Sequence, residues 1–309
     1  MKPFFLISAL LCLLAPATLA EPVSPSPSPS IRIGAYNIYT DFKGDNWAKR
    51  KQGVFEFVEQ AELDILALQE VTEVQIADLA HRFPRYHYVL GARSDGHRAD
   101  QSWYEFNPIF YAPDRYRLEG WSSFWVSPTP AAPGSILPRT KTHARVLTWA
   151  RLTERKTEKE ILVANVHIHG LRAADEIDII LGELARFHDG APIILLGDFN
   201  MTRNADAYAA LVSHDPSPRF IDASAAATDI IGPTNTTVIG PDGATYDNDG
   251  EMREISDVKV IDYIFLCGAT TVRRFEAHPN RLDRPNVYAS DHFALTSEVS
   301  LEGSCPLAR

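Results

Sequence analysis

Apolar residues recur along this chain with two periods. "IRIGAYNI" (31–38) is Ile-rich and alternating, the pattern of a strand. Between Trp47 and Ala61, apolar side chains at Trp47, Val54, Phe55 and Val58 fall at helical spacing. "DILALQE" (64–70) is a short apolar run ending in a carboxylate, and Thr72–His81 reads as a second helix. "YHYVLGA" (86–92), "PIFYAP" (108–113), "YRLEGWSSFWV" (116–126), "RVLTWARLT" (145–153) and "EILVANVHIHG" (160–170) read as strands. Arg172–Phe187 carries Ile177, Ile180, Leu181, Leu184 and Phe187 on one face, an amphipathic helix. "APIILLGDFN" (191–200), a short helix near Ala205–Leu211, "KVIDYIFLC" (259–267), "TTVRRFEAH" (270–278) and "DHFALTSEVSL" (291–301) complete the series. Strands outnumber helices, are mixed with them, and often carry apolar residues on both faces. The pattern predicts an α/β fold whose sheets pack on one another and under helices.

Ahead of the first strand the pattern changes. Lys2 opens a segment whose apolar run, Phe4–Leu14, is too short to span a bilayer, and Ala17-Thr18-Leu19-Ala20 offers the small residues of a cleavage site. Residues 1–20 are therefore expected to be a signal peptide cut near Ala20, giving a secreted or periplasmic product with no stable membrane anchor; an uncleaved anchor is the alternative. Cys12 lies in the apolar run, but Leu11 before it is too large for a good lipoprotein cleavage site. "PVSPSPSPS" (22–30) makes residues 21–30 an extended, solvated linker with nothing to bury. Residues 31–309 contain no second linker and no internal repeat, and read as one domain.

Composition adds limits. The 309 residues are 45% hydrophobic and 23% charged, enough for a substantial core. Net charge is −10, and removing residues 1–20 takes away only Lys2 and leaves −11. That balance lacks the basic face of a strong nucleic-acid binder. Cys267 and Cys305 remain after processing, as a disulfide tying the C-terminal tail to a late strand or as two separate thiols; an even pair in an oxidising compartment favours the bond. No Cys/His grouping has zinc spacing. The absence of G-x-S-x-G, P-loop, G-x-G-x-x-G and H-E-x-x-H motifs argues against serine hydrolases, nucleotide triphosphatases, dinucleotide enzymes and zincins.

The predicted strands share one chemical feature. Asn37, Glu70, His167, Asp198 with Asn200, Asp262, and Asp291 with His292 each stand in or beside an apolar run. Such groups are costly to bury unpaired, so their partners are expected to be each other or a metal. A cluster of Asp, Glu, Asn and His offers hard ligands suited to Mg²⁺ or Mn²⁺.

Taken in order, "YNI", "LALQE", "EFNPIFY", "NVHIHG", "LLGDFN", "IDYIF" and "SDH" resemble the endonuclease/exonuclease/phosphatase superfamily, the deoxyribonuclease-I-like fold. The resemblance runs from about Ile31 to Leu301. It is closest to bacterial members without a settled substrate that carry an R-x-x-T-W-A segment, here Arg145–Ala150. It implies a four-layer α/β sandwich, two packed mixed β-sheets with helices outside. It implies Glu70 as the main metal ligand, with Asn37 beside it and Asp291 acting directly or through water. Asp198 and Asn200 would position and polarise the attacking water. His292, oriented by Asp262, would contact the scissile phosphate or transfer a proton. His167 would donate to a phosphate oxygen, oriented by Glu105.

Departures from the family pattern bear on substrate contacts. His169 stands where an Asp is frequent, and Val166 where a Thr is frequent. The acidic loop before "VIDYIF" lacks a frequent aromatic–His pair and the EF-hand spacing; it is a solvated loop or a calcium site. The polar loop before Glu105 offers Arg93 and Arg98 as substrate-binding candidates, or is plain surface. Trp121, Phe124 and Trp125 are expected in sheet core, with lipid or base contact as the alternative. The resemblance implies a divalent-metal-dependent phosphoesterase, a monomer that hydrolyses phosphodiester bonds by direct water attack. Its substrate would be a small molecule, a lipid headgroup or a nucleic acid. The alternatives are a phosphomonoesterase on a small or lipid-linked phosphate, and a secreted binding module on the same scaffold.

Overall fold

A computed structural model describes residues 30–42, 47–97, 103–138, 140, 143–213, 220–237, 259–282 and 288–307. The expected signal peptide, the linker up to residue 29, Arg98 and the acidic loop from residue 238 lie outside the described residues.

The described elements run β1 (Ile31–Asn37), α1 (Trp47–Ala61), β2 (Ile65–Gln69), α2 (Glu73–Arg82), β3 (His87–Val89), β4 (Ile109–Tyr111), β5 (Tyr116–Trp125), β6 (Val146–Glu154), β7 (Glu160–His167), α3 (Ala173–Phe187), β8 (Ile193–Asp198), α4 (Asp206–Val212), β9 (Ile221–Asp222), α5 (Ala223–Ala226), β10 (Asp229–Ile231), β11 (Asp262–Cys267), β12 (Ala269–His278) and β13 (Ala294–Leu301). A seven-stranded sheet has the order β10-β12-β13-β1-β2-β4-β3, and a six-stranded sheet the order β5-β6-β7-β8-β11-β9. Each sheet is mixed. β1 and β2 are parallel and need a crossover, which α1 supplies; α3 does the same for parallel β7 and β8.

Side-chain alternation sorts the core into three bodies. Ile33, Ala35, Ile65, Ala67, Ile161, Val163, Ile194, Leu196, Ile264 and Leu295 point between the sheets. Tyr36, Leu66 and Leu68, one residue out of step, point outward under α1 (Val54, Phe57, Val58) and α2 (Ile76, Leu79). Leu162, Ala164, Ile193 and Leu195 point outward under α3 (Ile177, Ile180, Leu184) and α4 (Leu211). This double burial explains the near-continuous apolar runs and gives the four-layer sandwich.

One aromatic departs from expectation. Phe124 and Trp125 are buried, but Trp121 is 53% exposed. β5 is an edge strand, and the register shift between Leu118 and Gly120 falls just before Trp121. A Cys267–Cys305 disulfide ties the C-terminal tail to β11.

Candidate active site

The site is where the inward rows turn polar. Ile33 and Ala35 lead to Asn37; Ile65 and Ala67 to Gln69; Ile161 and Val163 to Asn165 and His167; Ile194 and Leu196 to Asp198; Leu266 and Ile264 to Asp262. All six polar residues are buried. Gln69 Nε2 donates to Asn165 Oδ1 at 2.7 Å, and Asn165 Nδ2 donates to the Leu68 and Pro108 carbonyls, so an amide pair joins the two sheets beneath the site.

Asp198 is central. Its register partners are His167 on parallel β7 and Asp262 on antiparallel β11, so three adjacent strands present three functional groups side by side. Gly197 permits that approach: its φ is +136°, and a Cβ there would lie 2.0 Å from the Val166 carbonyl oxygen. Asp198 Oδ1 accepts from Asn200 N at 2.8 Å, and Oδ2 from Asn37 Nδ2 at 3.1 Å. His167 Nε2 and His292 Nε2 stand 3.5 and 3.6 Å from the same Oδ2. Burial, with Asp262 next, raises the Asp198 pKa above the usual carboxylate range.

Two histidine–carboxylate pairs flank Asp198. His292 Nδ1 lies 3.0 and 2.9 Å from the Asp262 oxygens. Burial pulls the His292 pKa down, but Asp262, Asp198 and Asp291 outweigh it and hold the imidazole well above its ordinary value. His167 Nδ1 lies 2.7 Å from Glu105 Oε2. Burial, then Arg145, pushes the His167 pKa down to about 3. Asn200 Nδ2 donates to the Ile168 carbonyl at 2.9 Å and lies 3.2 Å from His167 Nε2. Nδ1 thus meets Glu105 Oε2 and Arg145 Nη1, while Nε2 faces the Asn200 amide.

Glu70 sits just beyond β2 with φ +60°, which swings its carboxylate off the strand. Oε1 accepts from Asn37 Nδ2 at 3.1 Å and Oε2 from Thr40 N at 3.3 Å. Asn37 therefore links Glu70 to Asp198 through its nitrogen, while its Oδ1, the atom that binds cations, accepts from Tyr39 N. Asp291 is fixed by Ser290, whose hydroxyl also donates to the Asn37 carbonyl at 2.6 Å. Burial, reinforced by Glu70 and Asp198 and opposed by His292 and Arg50, pushes the Asp291 pKa up to about 7.

Two triads offer ligand atoms within 4.8 Å of one another: Glu70, Glu105 and His167, and Asp198, Asp262 and His292. Asp291 belongs to neither. Buried carboxylates this close repel unless protonated or neutralised, and oxygen-rich sets with imidazole suit a hard divalent cation. The donor set therefore fits a metal.

The structure does not bring Arg93 into this cluster. Its guanidinium pairs with Asp95 at 2.7 and 2.8 Å, over the Tyr104 ring. Sequence reasoning passed over Arg145 as a site residue, though it opens the R-x-x-T-W-A segment. Its Nη1 lies 2.8 Å from both Glu105 Oε1 and His167 Nδ1. Arg50 of α1 was also missed; it donates to the carbonyls of Ile38 and Ala289, joining the loop after Asn37 to the one before Asp291. A cation inside an amphipathic helix carries no sequence signal of burial.

Comparison with known proteins defines the class. Residues 34–292 match the Endonuclease/Exonuclease/phosphatase family, and the chain belongs to it. An endonuclease/exonuclease/phosphatase from Bacteroides vulgatus superposes with a TM-score of 0.75 at 26% identity, covering 89% of this chain and 100% of that one. A functionally unknown conserved protein from Enterococcus faecalis gives 0.71 at 25%, with coverage of 88% and 100%. A Bacteroides thetaiotaomicron mannosyl-6-phosphatase gives 0.71 at 24%, with coverage of 87% and 99%, a likeness of fold. No curated protein matches the chain.

Proposed function

We propose that the protein is a divalent-metal-dependent phosphoesterase that hydrolyses phosphodiester bonds by direct attack of water. The observation that carries this reading is Asp198, a buried base held between two histidine–carboxylate pairs and linked through Asn37 to Glu70. Glu70 and Asp291 would hold Mg²⁺ or Mn²⁺. When bound, such an ion neutralises charge developing on the phosphate. Asp198 takes the proton of the attacking water, its raised pKa making it a stronger base than an ordinary carboxylate. Asn200 orients that water. His292, protonated and oriented by Asp262, donates from Nε2 to a phosphate oxygen.

Charge supports a diester over a monoester. Among the described residues, Arg50, Arg93 and Arg145 are each engaged by protein oxygens, and the carboxylates of Glu70, Asp262 and Asp291 stand near Asp198 against the cationic imidazole of His292. A singly charged diester suits that setting better than a doubly charged monoester. The Cys267–Cys305 bond supports export to an oxidising compartment, secreted or periplasmic. No helix among the described residues is long and apolar enough to cross a membrane.

The test is hydrolysis of bis(p-nitrophenyl) phosphate against p-nitrophenyl phosphate, with Mg²⁺, Mn²⁺ or EDTA. Metal-dependent diester cleavage, lost in Asp198→Ala, is expected. Monoester cleavage alone would make the protein a phosphatase. Inactivity on both, and on nucleic acid and lipid vesicles, would overturn the enzyme reading in favour of a binding module.

A further inference from the structure

Glu176 is a fully buried carboxylate with no part in the chemistry above. It stands in the first turn of α3, and its partners are backbone and side-chain groups of one short loop. Oε1 accepts from His169 N at 2.9 Å and stands 3.0 Å from His169 Nδ1, and Oε2 accepts from Gly170 N at 3.1 Å. His169 Nε2 lies 2.8 Å from the His143 carbonyl oxygen. Both ring nitrogens face oxygens, Glu176 Oε1 on one side and the His143 carbonyl on the other, so the ring is held between α3 and the segment before Arg145.

That loop is the surface against which Asn200 is set. The Ile168 carbonyl accepts from Asn200 Nδ2 at 2.9 Å. Gly170, with φ +71°, lies so close that a Cβ would stand 1.9 Å from the Asn200 carbonyl oxygen. Asn200 itself has φ +47°, in the left-handed region that asparagine tolerates better than most non-glycine residues. Through the His143 carbonyl the same loop reaches the segment that carries Arg145, and so the Glu105–His167 pair.

We propose that Glu176 is a positioning residue: it holds the 168–170 loop against Asn200 and so fixes where the Asn200 side chain stands in the site. The kinetic part of this proposal rests on the phosphodiesterase reading; the structural part does not.

The test is Glu176→Gln, which keeps size but leaves one oxygen where the carboxylate offers two acceptors to His169 N and Gly170 N. With bis(p-nitrophenyl) phosphate and Mg²⁺, kcat should fall about tenfold while KM stays within about twofold, the signature of an interaction made in the transition state. In an Asn200→Ala background the same substitution should change kcat by less than about twofold, because its effect is exerted through Asn200. Fully multiplicative losses, or an unchanged kcat, would overturn the proposal. A crystal structure of Glu176→Gln gives a readout independent of activity. The Asn200 amide should leave the Ile168 carbonyl, and an unmoved Asn200 would refute the positioning role even if the wild type cleaves no diester. Should Glu176→Gln fail to fold, Glu176→Gln/His169→Gln replaces both partners of the contact and carries the same measurements.

Discussion

His292 Nε2 and Asp198 Oδ2 face each other at 3.6 Å, beyond direct hydrogen-bond reach and close enough for both to touch one substrate oxygen. The pair sets a cationic donor against a buried base. Asp198→Asn keeps the size and one of the two acceptor oxygens used by Asn200 N and Asn37 Nδ2, but removes the base. It should lower kcat by about 10²–10⁴-fold, with KM for bis(p-nitrophenyl) phosphate changed by no more than about threefold. Steady-state kinetics on the folded variant check this.

Metal binding should depend on pH through Asp291. Its folded pKa of about 7 stands above the usual carboxylate value, so the metal-free fold binds a proton there that the unfolded chain has already lost. The stability this group supplies is complete below about pH 4 and is lost as pH rises through about 7. A divalent cation favours the ionised form. Mg²⁺ should therefore raise Tm more at pH 8 than at pH 5.5, and Glu70→Gln should shrink the increment at pH 8. Differential scanning fluorimetry with Mg²⁺ or EDTA measures both.

Arg145 and Glu105 form a buried ion pair, with side-chain exposures of 11% and 0%. Breaking one partner strands the other charge, so Arg145→Met should destabilise the fold by about 3–5 kcal/mol. Arg145→Met/Glu105→Gln should recover most of that loss, because no ionised group is left alone. Chemical denaturation of both variants separates the outcomes; equal losses would deny the pair.

The disulfide lies away from the chemistry. β11 begins at Asp262 in the site and ends at Cys267, roughly 17 Å further along the strand. The bond spans a sequence separation of 38, and a loop of that size is worth about 4 kcal/mol. Cys267→Ser/Cys305→Ser should lower Tm by roughly 10 °C and leave kcat unchanged below the transition.

Much of this architecture was legible because it rests on period and position. α1 occupies the predicted Trp47–Ala61, and α3 starts one residue after the predicted Arg172. The family motifs marked Glu70, Asp198, Asn200, Asp262 and His292, which the structure brings together about Asp198. The elements β9, α5 and β10, of two, four and three residues, are too short to show a period. Arg145 escaped because its partners Glu105 and His167 are distant in sequence, and Glu176 because an acid in the first turn of a helix carries no sign in the sequence that it is buried.

Sheet order has a consequence in time. The strand that opens the domain, β1, pairs with β13, which closes it: Ile31 stands opposite Val299. Asn37 and Asp291 are neighbours in space only because that pairing forms, so the site completes on one of the longest loop closures the chain can make. During synthesis every other strand precedes it. A growing chain that already contains Glu70, His167 and Asp198 stays inert until its final strand docks. A chain ended at residue 290 should show no hydrolysis, restored when a peptide of residues 291–309 is added. A chain folded this way completes its site only when its final strand, β13, has been made.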